Sequence, residues 1–275
     1  IILFFFFAVV NALRKIKEPL TYLSKIFSLI LFFEVSFTLV SLVFDVYPEF
    51  TGISMNRNIS SFSILIKLPF LFLYKSLTRN NNMNSLLFSV VELFSIFSIL
   101  VLESRAALYI LFLVYFLLFF LKTYSNRRVV VFLSVSILSL LIYKQNFSSY
   151  LDNKVLNPIN LAQDESFNYR LDYYKNAISL FQEKPFLGHG IGSWKIQSLR
   201  FQDYSESTIL SPYYVHNDFL QLLMEIGIFG FAVYLLILIN PTIYLLKKIK
   251  IPEYFILLIS IFVFTIQNIN MYPYQ

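Results

Sequence analysis

Cysteine is absent from the 275 residues, which excludes a disulfide framework, a thiolate metal site and a cysteine nucleophile. Glycine is scarce at six residues, histidine occurs twice and tryptophan once. Charged residues make up only 14% of the chain, well below the roughly 25% of a soluble domain. Apolar residues fill the space they leave: 57% of the sequence is hydrophobic, with 32 Phe and 19 Tyr, and the mean hydropathy is +0.67. A water-soluble globule of this size exposes too much surface to hide that composition, and the same composition excludes disorder. The apolar runs are continuous and not short alternating segments, which excludes a transmembrane barrel. The expected fold is therefore all-α, a polytopic transmembrane helical bundle in a lipid bilayer.

Twenty-two basic residues against 16 acidic ones give a formal charge of +6. No basic stripe interleaved with stacking aromatics points to nucleic acid, so the positive residues are read first as topology signals. Apolar runs fall at about 1–13, 20–46, 59–77, 85–102, 106–121, 129–143, 217–246 and 254–270. Arg14, Lys15 and Lys17 follow the first run, and Lys75 and Arg79 the third. Lys122, Arg127 and Arg128 follow the fifth, and Lys247, Lys248 and Lys250 the seventh. Every second connection is basic, while the short loops between carry only Arg57 and Arg105. By the positive-inside rule this places residues 144–215 on the non-cytoplasmic side. The expected organisation is transmembrane helices over 1–143, a large extracytoplasmic loop over 144–215, and C-terminal transmembrane helices over 216–275. The chain opens inside an apolar run with no Met and no charged leader, which reads as a fragment whose first helix is truncated.

The rare residues cluster. Five of the six glycines, both histidines and the single tryptophan lie between Gly188 and Gly230. Gly188-His189-Gly190-Ile191-Gly192-Ser193-Trp194 is a glycine-punctuated turn following Pro185. It is not a dinucleotide fingerprint, because the third glycine comes too early and no strand–helix unit surrounds it. Glycine at alternate positions permits positive φ and close backbone approach, which serves a tight re-entry loop and a ligand contact equally well. Ahead of the turn, residues 166–182 read as an amphipathic helix that lies along the membrane surface or covers the bundle mouth, capped by Ser166, with an apolar stripe of Phe167, Leu171, Tyr174, Ile178 and Phe181. Arg170, one turn before Tyr174, is either an interfacial anchor or a phosphate ligand. After the turn, His216-Asn217-Asp218 opens an apolar helix carrying Gln221, Glu225, Gly227 and Gly230. In a regular helix His216 and Gly227 share a face, and the two glycines admit a second helix closely enough to hold His216 in place.

Arg105, in Glu103-Ser104-Arg105, occupies a very short turn between two spans on the side where the topology rule disfavours positive charge. It either pairs with Glu103 or presents its planar fork to a diphosphate. Glu34, Lys67, Glu92 and Glu225 lie within apolar spans, where each charge costs roughly 2.5–3.5 kcal/mol on insertion scales, so each must face the bundle interior, pair or be neutral, and internal pairing is expected ahead of a catalytic role.

Taken together, these residues resemble the O-antigen ligase and polymerase superfamily of bacterial membrane glycosyltransferases. His216-Asn217, nine residues, Gly227, two residues and Gly230 matches the ligase pattern H-[N/S/Q]-x9-G-x-x-[G/T/Y]. Arg170, Tyr174, Ala177, Pro185, Gly188, Gly190, Gly192 and Trp194 resemble the segment that precedes it, with Tyr174 in place of the usual tryptophan. Ser104-Arg105-Ala106 is similar to the family's short S-R-[G/A] turn, and Gly52 with Asn56-Arg57-Asn58 to its G-x3-N-x-N stretch.

The resemblance implies a reaction on the outer face of the bacterial cytoplasmic membrane. A glycan leaves undecaprenyl diphosphate for an acceptor hydroxyl on another glycan, lipid A core or protein, without metal or cofactor. It implies His216 as general base and Arg105 and Arg170 as diphosphate ligands, supported by Asn217, Gly188, Gly190, Gly192, Trp194, Gly227 and Gly230. A histidine's ordinary pKa of about 6.5 suits proton removal near neutrality. The alternative from another class is a transporter or flippase of lipid-linked glycans, expected to show repeat symmetry and helices broken at mid-membrane.

Overall fold

The structure, a computed structural model, describes residues 11–44, 52–54, 56–78, 82–102, 104–120, 165–201 and 213–269. The expected run at 129–143 and most of the one at 1–13 lie outside the described residues, as do Glu103 and the stretches 144–164 and 202–212. Every described element is helical, and the chain divides into two compact units: Ile1–Ile142 with Lys248–Ser260, and Tyr143–Lys247 with Ile261–Gln275.

The first unit contains α1 (Pro19–Phe44), α2 (Arg57–Leu77), α3 (Asn82–Val101) and α4 (Arg105–Phe120), with α2 packed against the other three. Asn56 caps α2: its backbone is extended and its side chain accepts from the N–H groups of Asn58 and Ile59 at 3.0 and 3.1 Å. Buried Leu31 and Val35 of α1, Phe62, Leu65, Leu68 and Phe72 of α2, Ile96 and Ile99 of α3, and Leu111 and Val114 of α4 form the interior. Charges in this apolar setting are paired, as their insertion cost requires. Lys67 Nζ meets Glu34 Oε2 at 2.7 Å, and the Tyr115 hydroxyl donates to Glu92 Oε1 at 2.9 Å.

The second unit contains α5 (Glu165–Glu183), the short α6 (Trp194–Gln197) running into a 3-10 turn at Ser198–Phe201, and α7 (Asp218–Lys247). The final helix, α8 (Pro252–Ile269), starts with a proline at its first position, where a missing N–H costs nothing. Pro19–Leu42, Arg57–Leu77 and Asp218–Lys247 are long and apolar enough to cross a membrane, and Leu86–Val101, Ala106–Leu118 and Pro252–Asn268 are shorter apolar helices. The chain is a multi-pass helical membrane protein.

Two expectations need correcting. Residues 217–246 read as one span, but Gly227 has φ 65° and ψ −176°, and α7 breaks there. Phe219 packs on Phe231 at 6.2 Å and on Tyr234 at 6.0 Å between ring centroids, although residues 12 apart lie roughly 18 Å apart along a straight helix. The kink swings the first segment back beside the second. Residues 228–247 remain as a continuous helix of roughly 30 Å, the thickness of a hydrocarbon core. Because of the break, His216 and Gly227 do not share a helical face.

The second correction concerns α5. It begins at Glu165, so Ser166 lies inside the first turn and not at the cap. Its packed face is Tyr173, Tyr174, Ala177, Leu180 and Phe181, while Leu171 and Ile178 of the expected stripe point outward. Tertiary packing selects a face rotated by about one residue, because Trp194, Val215 and Met224 offer their apolar surface there.

Candidate functional site

The kink at Gly227 is held open by the glycine turn. Breaking α7 frees the carbonyls of Met224 and Glu225, which accept from the N–H groups of His189 (3.1 Å) and Gly190 (2.8 Å). The N–H of Ile228, past the break, donates to Pro185 O at 2.8 Å. These bonds join two segments some forty residues apart, and with Phe229 N–H donating to Phe186 O at 3.4 Å, two carbonyls and two N–H groups at the break find partners on the turn. Only glycine fits at the crossing. A Cβ on Gly227 would run into the carbonyl of Phe186, and one on Gly188 into the carbonyl of Glu225. The close approach expected at Gly227 is therefore made by the turn, not by a second helix. Gly190 and Gly192, also at positive φ, face open space, and a Cβ on Gly230 would meet the side chain of Ile226 one turn earlier.

The Glu225 carboxylate binds the turn a second time. Buried to 4% exposure, its Oε2 accepts from Gly192 N–H at 2.9 Å, and its Oε1 from Trp194 N–H (3.4 Å) and Gln221 Nε2 (3.2 Å). Gln221 Oε1 in turn accepts from Val215 N–H at 3.2 Å. Asn217 Oδ1 accepts from Leu220 N–H at 3.1 Å and caps the helix. Asn217, Gln221 and Glu225 recur every four residues and form one polar ridge along an otherwise apolar segment. The ridge carries the position of the turn directly to the residue before His216.

His216 is buried and stands at φ 65°, the only non-glycine residue with positive φ among the described residues. An L-residue held there is strained by about 1–3 kcal/mol and persists only where its surroundings impose it. Those surroundings are on α5 and α7. The Tyr173 ring stacks on the imidazole (centroids 6.0 Å apart, 23° between planes) and meets the Trp194 indole edge-on at 6.3 Å. The Tyr174 hydroxyl donates to His216 O at 3.2 Å. Burial pushes the Tyr174 phenol above its ordinary pKa, opposed by the positive charge of Arg170 one turn earlier. Arg170 itself is half-buried, with Nε removed from solvent. The second unit thus gathers Arg170, Gly188, Gly190, Gly192, Trp194, His216, Asn217 and Gly227 around one core.

Residues 90–235 of this arrangement match the sequence profile of the O-antigen ligase family. The chain belongs to that family. A protein of Acinetobacter baylyi described as a ComP-specific O-oligosaccharyltransferase is 25% identical over 226 residues, which cover 78% of this chain. The chain spans 39% of that relative's length.

The first unit holds the remaining expected residues of the O-antigen ligase pattern. Ser104 Oγ, buried, donates to Asn58 Oδ1 at 2.7 Å, tying the turn before α4 to the first turn of α2. Gly52, at φ 72°, packs on Ser60, which bonds the Ser54 hydroxyl at 2.6 Å. The S-R turn and the G-x3-N-x-N stretch therefore meet at one end of this unit. Arg105 opens α4 and Arg57 opens α2, each adjacent in sequence to one partner of the Ser104–Asn58 bond. The Arg105 side chain lies outside the described residues. A positive charge at a helix N-terminus opposes the helix dipole, so neither arginine is placed to stabilise its own helix.

Sequence reasoning missed Tyr173 and, though it placed Gln221, Glu225 and Arg57 in these stretches, gave none of the three a particular partner. The four-residue spacing of Asn217, Gln221 and Glu225 was the legible signal. Tyr173 differs from its neighbour Tyr174 only by the helix rotation that packing decides.

Proposed function

We propose that the chain contributes the catalytic site of a membrane glycosyltransferase. It moves a glycan from an undecaprenyl-diphosphate carrier to an acceptor hydroxyl, as an O-antigen or polysaccharide ligase or polymerase. The site faces away from the cytoplasm, on the outer face of the cytoplasmic membrane, in keeping with the alternation of basic connections. The observation that carries this reading is His216: a buried imidazole held in a strained backbone conformation by Tyr173, Tyr174 and the Glu225 ridge. Strain of this kind at a clamped polar residue is characteristic of functional sites.

In the reaction the acceptor oxygen bonds to the anomeric carbon as the bond from that carbon to the diphosphate oxygen breaks. The acceptor proton passes to an imidazole nitrogen of His216, and the electron pair of the broken bond leaves on the lipid diphosphate. Attack opposite the leaving group inverts the anomeric centre. Arg105 and Arg170 neutralise the charge developing on the diphosphate through bidentate guanidinium contacts. No metal is required for this division of labour. The description of the Acinetobacter baylyi relative as an O-oligosaccharyltransferase supports transfer of an oligosaccharide to a hydroxyl. The acceptor in this reading is a glycan, lipid A core or protein.

The test is transfer from purified undecaprenyl-diphosphate-linked glycan in nanodiscs, with donor binding measured in parallel. His216→Ala is expected to lose about 10²–10⁴-fold in rate while binding donor normally. Wild-type transfer by the variant would refute His216 as the base, and lost donor binding would make it a ligand or a structural residue instead.

A further inference from the structure

The glycine turn carries large apolar side chains that its own packing leaves out. Leu187 is 79% exposed and Ile191 87%, and Phe186 and Ile196 are also exposed. Inward-facing positions of the same segment are filled: Trp194 is wholly buried, and His189 Nε2 bonds Leu180 O at 2.8 Å. The outward residues form a rim with a definite neighbour. Phe186 stacks on Phe229 with centroids 5.8 Å apart, and Phe229 is the second residue of the continuous helix 228–247. Phe229, Val233, Leu236 and Ile237 form an exposed apolar face on that helix at the spacing of one helical stripe. The apolar surface therefore runs without a break from the lipid-facing side of a membrane-spanning helix onto the tip of the turn.

The two carboxylates beside the turn are engaged, Glu183 by Arg200 and Glu225 by the turn's own N–H groups, while the side chains of Lys184 and Lys195 are exposed. From residue 184 to residue 201 the chain carries Lys184, Lys195 and Arg200 and no carboxylate. Arg200 is engaged by Glu183 in a two-pronged ion pair at 2.8 and 2.9 Å, and Lys195 Nζ lies 5.0 Å over the Tyr213 ring. Apolar side chains flanked by lysine and tyrosine are the composition of a segment seated at the boundary between acyl chains and anionic headgroups.

We infer that the turn 185–196 dips into the bilayer, with Phe186, Leu187, Ile191 and Ile196 among the acyl chains and Lys184 and Lys195 at the headgroup phosphates. The same hydrogen bonds that join the turn to Met224, Glu225 and Ile228 then fix the depth of His216 relative to the membrane surface. A carrier-linked sugar is presented at that depth, so the lipid seat sets which part of the donor reaches the imidazole.

The absence of cysteine makes the test direct, because each introduced thiol is unique. Leu187→Cys and Ile191→Cys remove no core contact, and Lys175→Cys serves as a water-exposed reference on α5, where the native side chain is 75% exposed. Each is spin-labelled in the full chain, in nanodiscs containing anionic phospholipid. Collision rates with oxygen and with a water-soluble nickel chelate are then measured. The expected result is an oxygen-to-nickel accessibility ratio several-fold higher at 187 and 191 than at 175, and shallower immersion when Lys184→Gln and Lys195→Gln are combined. Ready access to nickel at 187 and 191 would overturn the inference by placing the turn in water. Exclusion of both reagents would overturn it by showing a protein surface there. Transfer activity is not read in this experiment, so its failure would leave the glycosyltransferase reading standing.

Discussion

Gly227→Ala isolates the contact on which the site depends. The native backbone at φ 65° and ψ −176° lies in a region that only glycine occupies freely, and forcing alanine into it costs about 1–3 kcal/mol. The new methyl also runs into Phe186 O, so the turn must lift from the kink. Lifting breaks the bonds from His189 N to Met224 O, from Gly190 N to Glu225 O and from Ile228 N to Pro185 O. At about 1 kcal/mol net for each bond, the turn weakens by about 4–6 kcal/mol in all, or roughly 10³–10⁴-fold in its local opening equilibrium. Hydrogen exchange reads this directly: the amides of His189, Gly190 and Ile228 are expected to exchange faster by that factor, while those inside α2 keep their wild-type rates. Glycan transfer is expected to fall with the loss of the clamp on His216. Native exchange at all three amides, with native transfer, would refute both the steric argument and the coupling of the turn to the histidine.

Three further outcomes follow from other contacts. Glu225→Gln turns an amide NH₂ toward either Gly192 N–H or the Trp194 and Gln221 donors, so at least one buried donor loses its acceptor at a cost of about 1–3 kcal/mol; transfer should fall at unchanged expression, and wild-type activity would remove the ridge from the mechanism. Lys67→Met leaves Glu34 charged and unpaired in an apolar interior and should destabilise the protein by about 3–5 kcal/mol, with Glu34→Gln added in the same chain restoring most of it, as read by thermal unfolding in detergent. Because its folded pKa is raised, Tyr174 contributes stability that is fully present below its unfolded pKa of about 10 and is lost as pH rises through the folded value. Tyr174→Phe should therefore weaken the hold on His216 by about 1 kcal/mol near neutrality and remove this alkaline component above pH 10, and an unchanged alkaline profile in the variant would count against it.

The sequence by itself determined the class of fold and the placement of the described helices. α2, α3, α4 and α8 begin and end within about three residues of the apolar runs, since whether a segment enters lipid depends on its own composition summed over its length. That buried charges need partners also followed from insertion cost alone, and Glu34, Lys67, Glu92 and Glu225 all have them. Which partner each takes did not follow. Gly192 meets Glu225 across 33 residues, and Ser104 meets Asn58 across 46, through contacts that no local pattern encodes. The break in α7 was likewise invisible, because an isolated glycine in an apolar run is compatible with a straight helix. Gly227 adopts its extended ψ only because the carbonyls and N–H groups freed there are taken up by the turn from 185 to 190. The left-handed backbone of His216 has the same origin: an unfavourable local conformation is sustained by Tyr173, Tyr174 and the Asn217–Gln221–Glu225 ridge, which only the folded chain brings together.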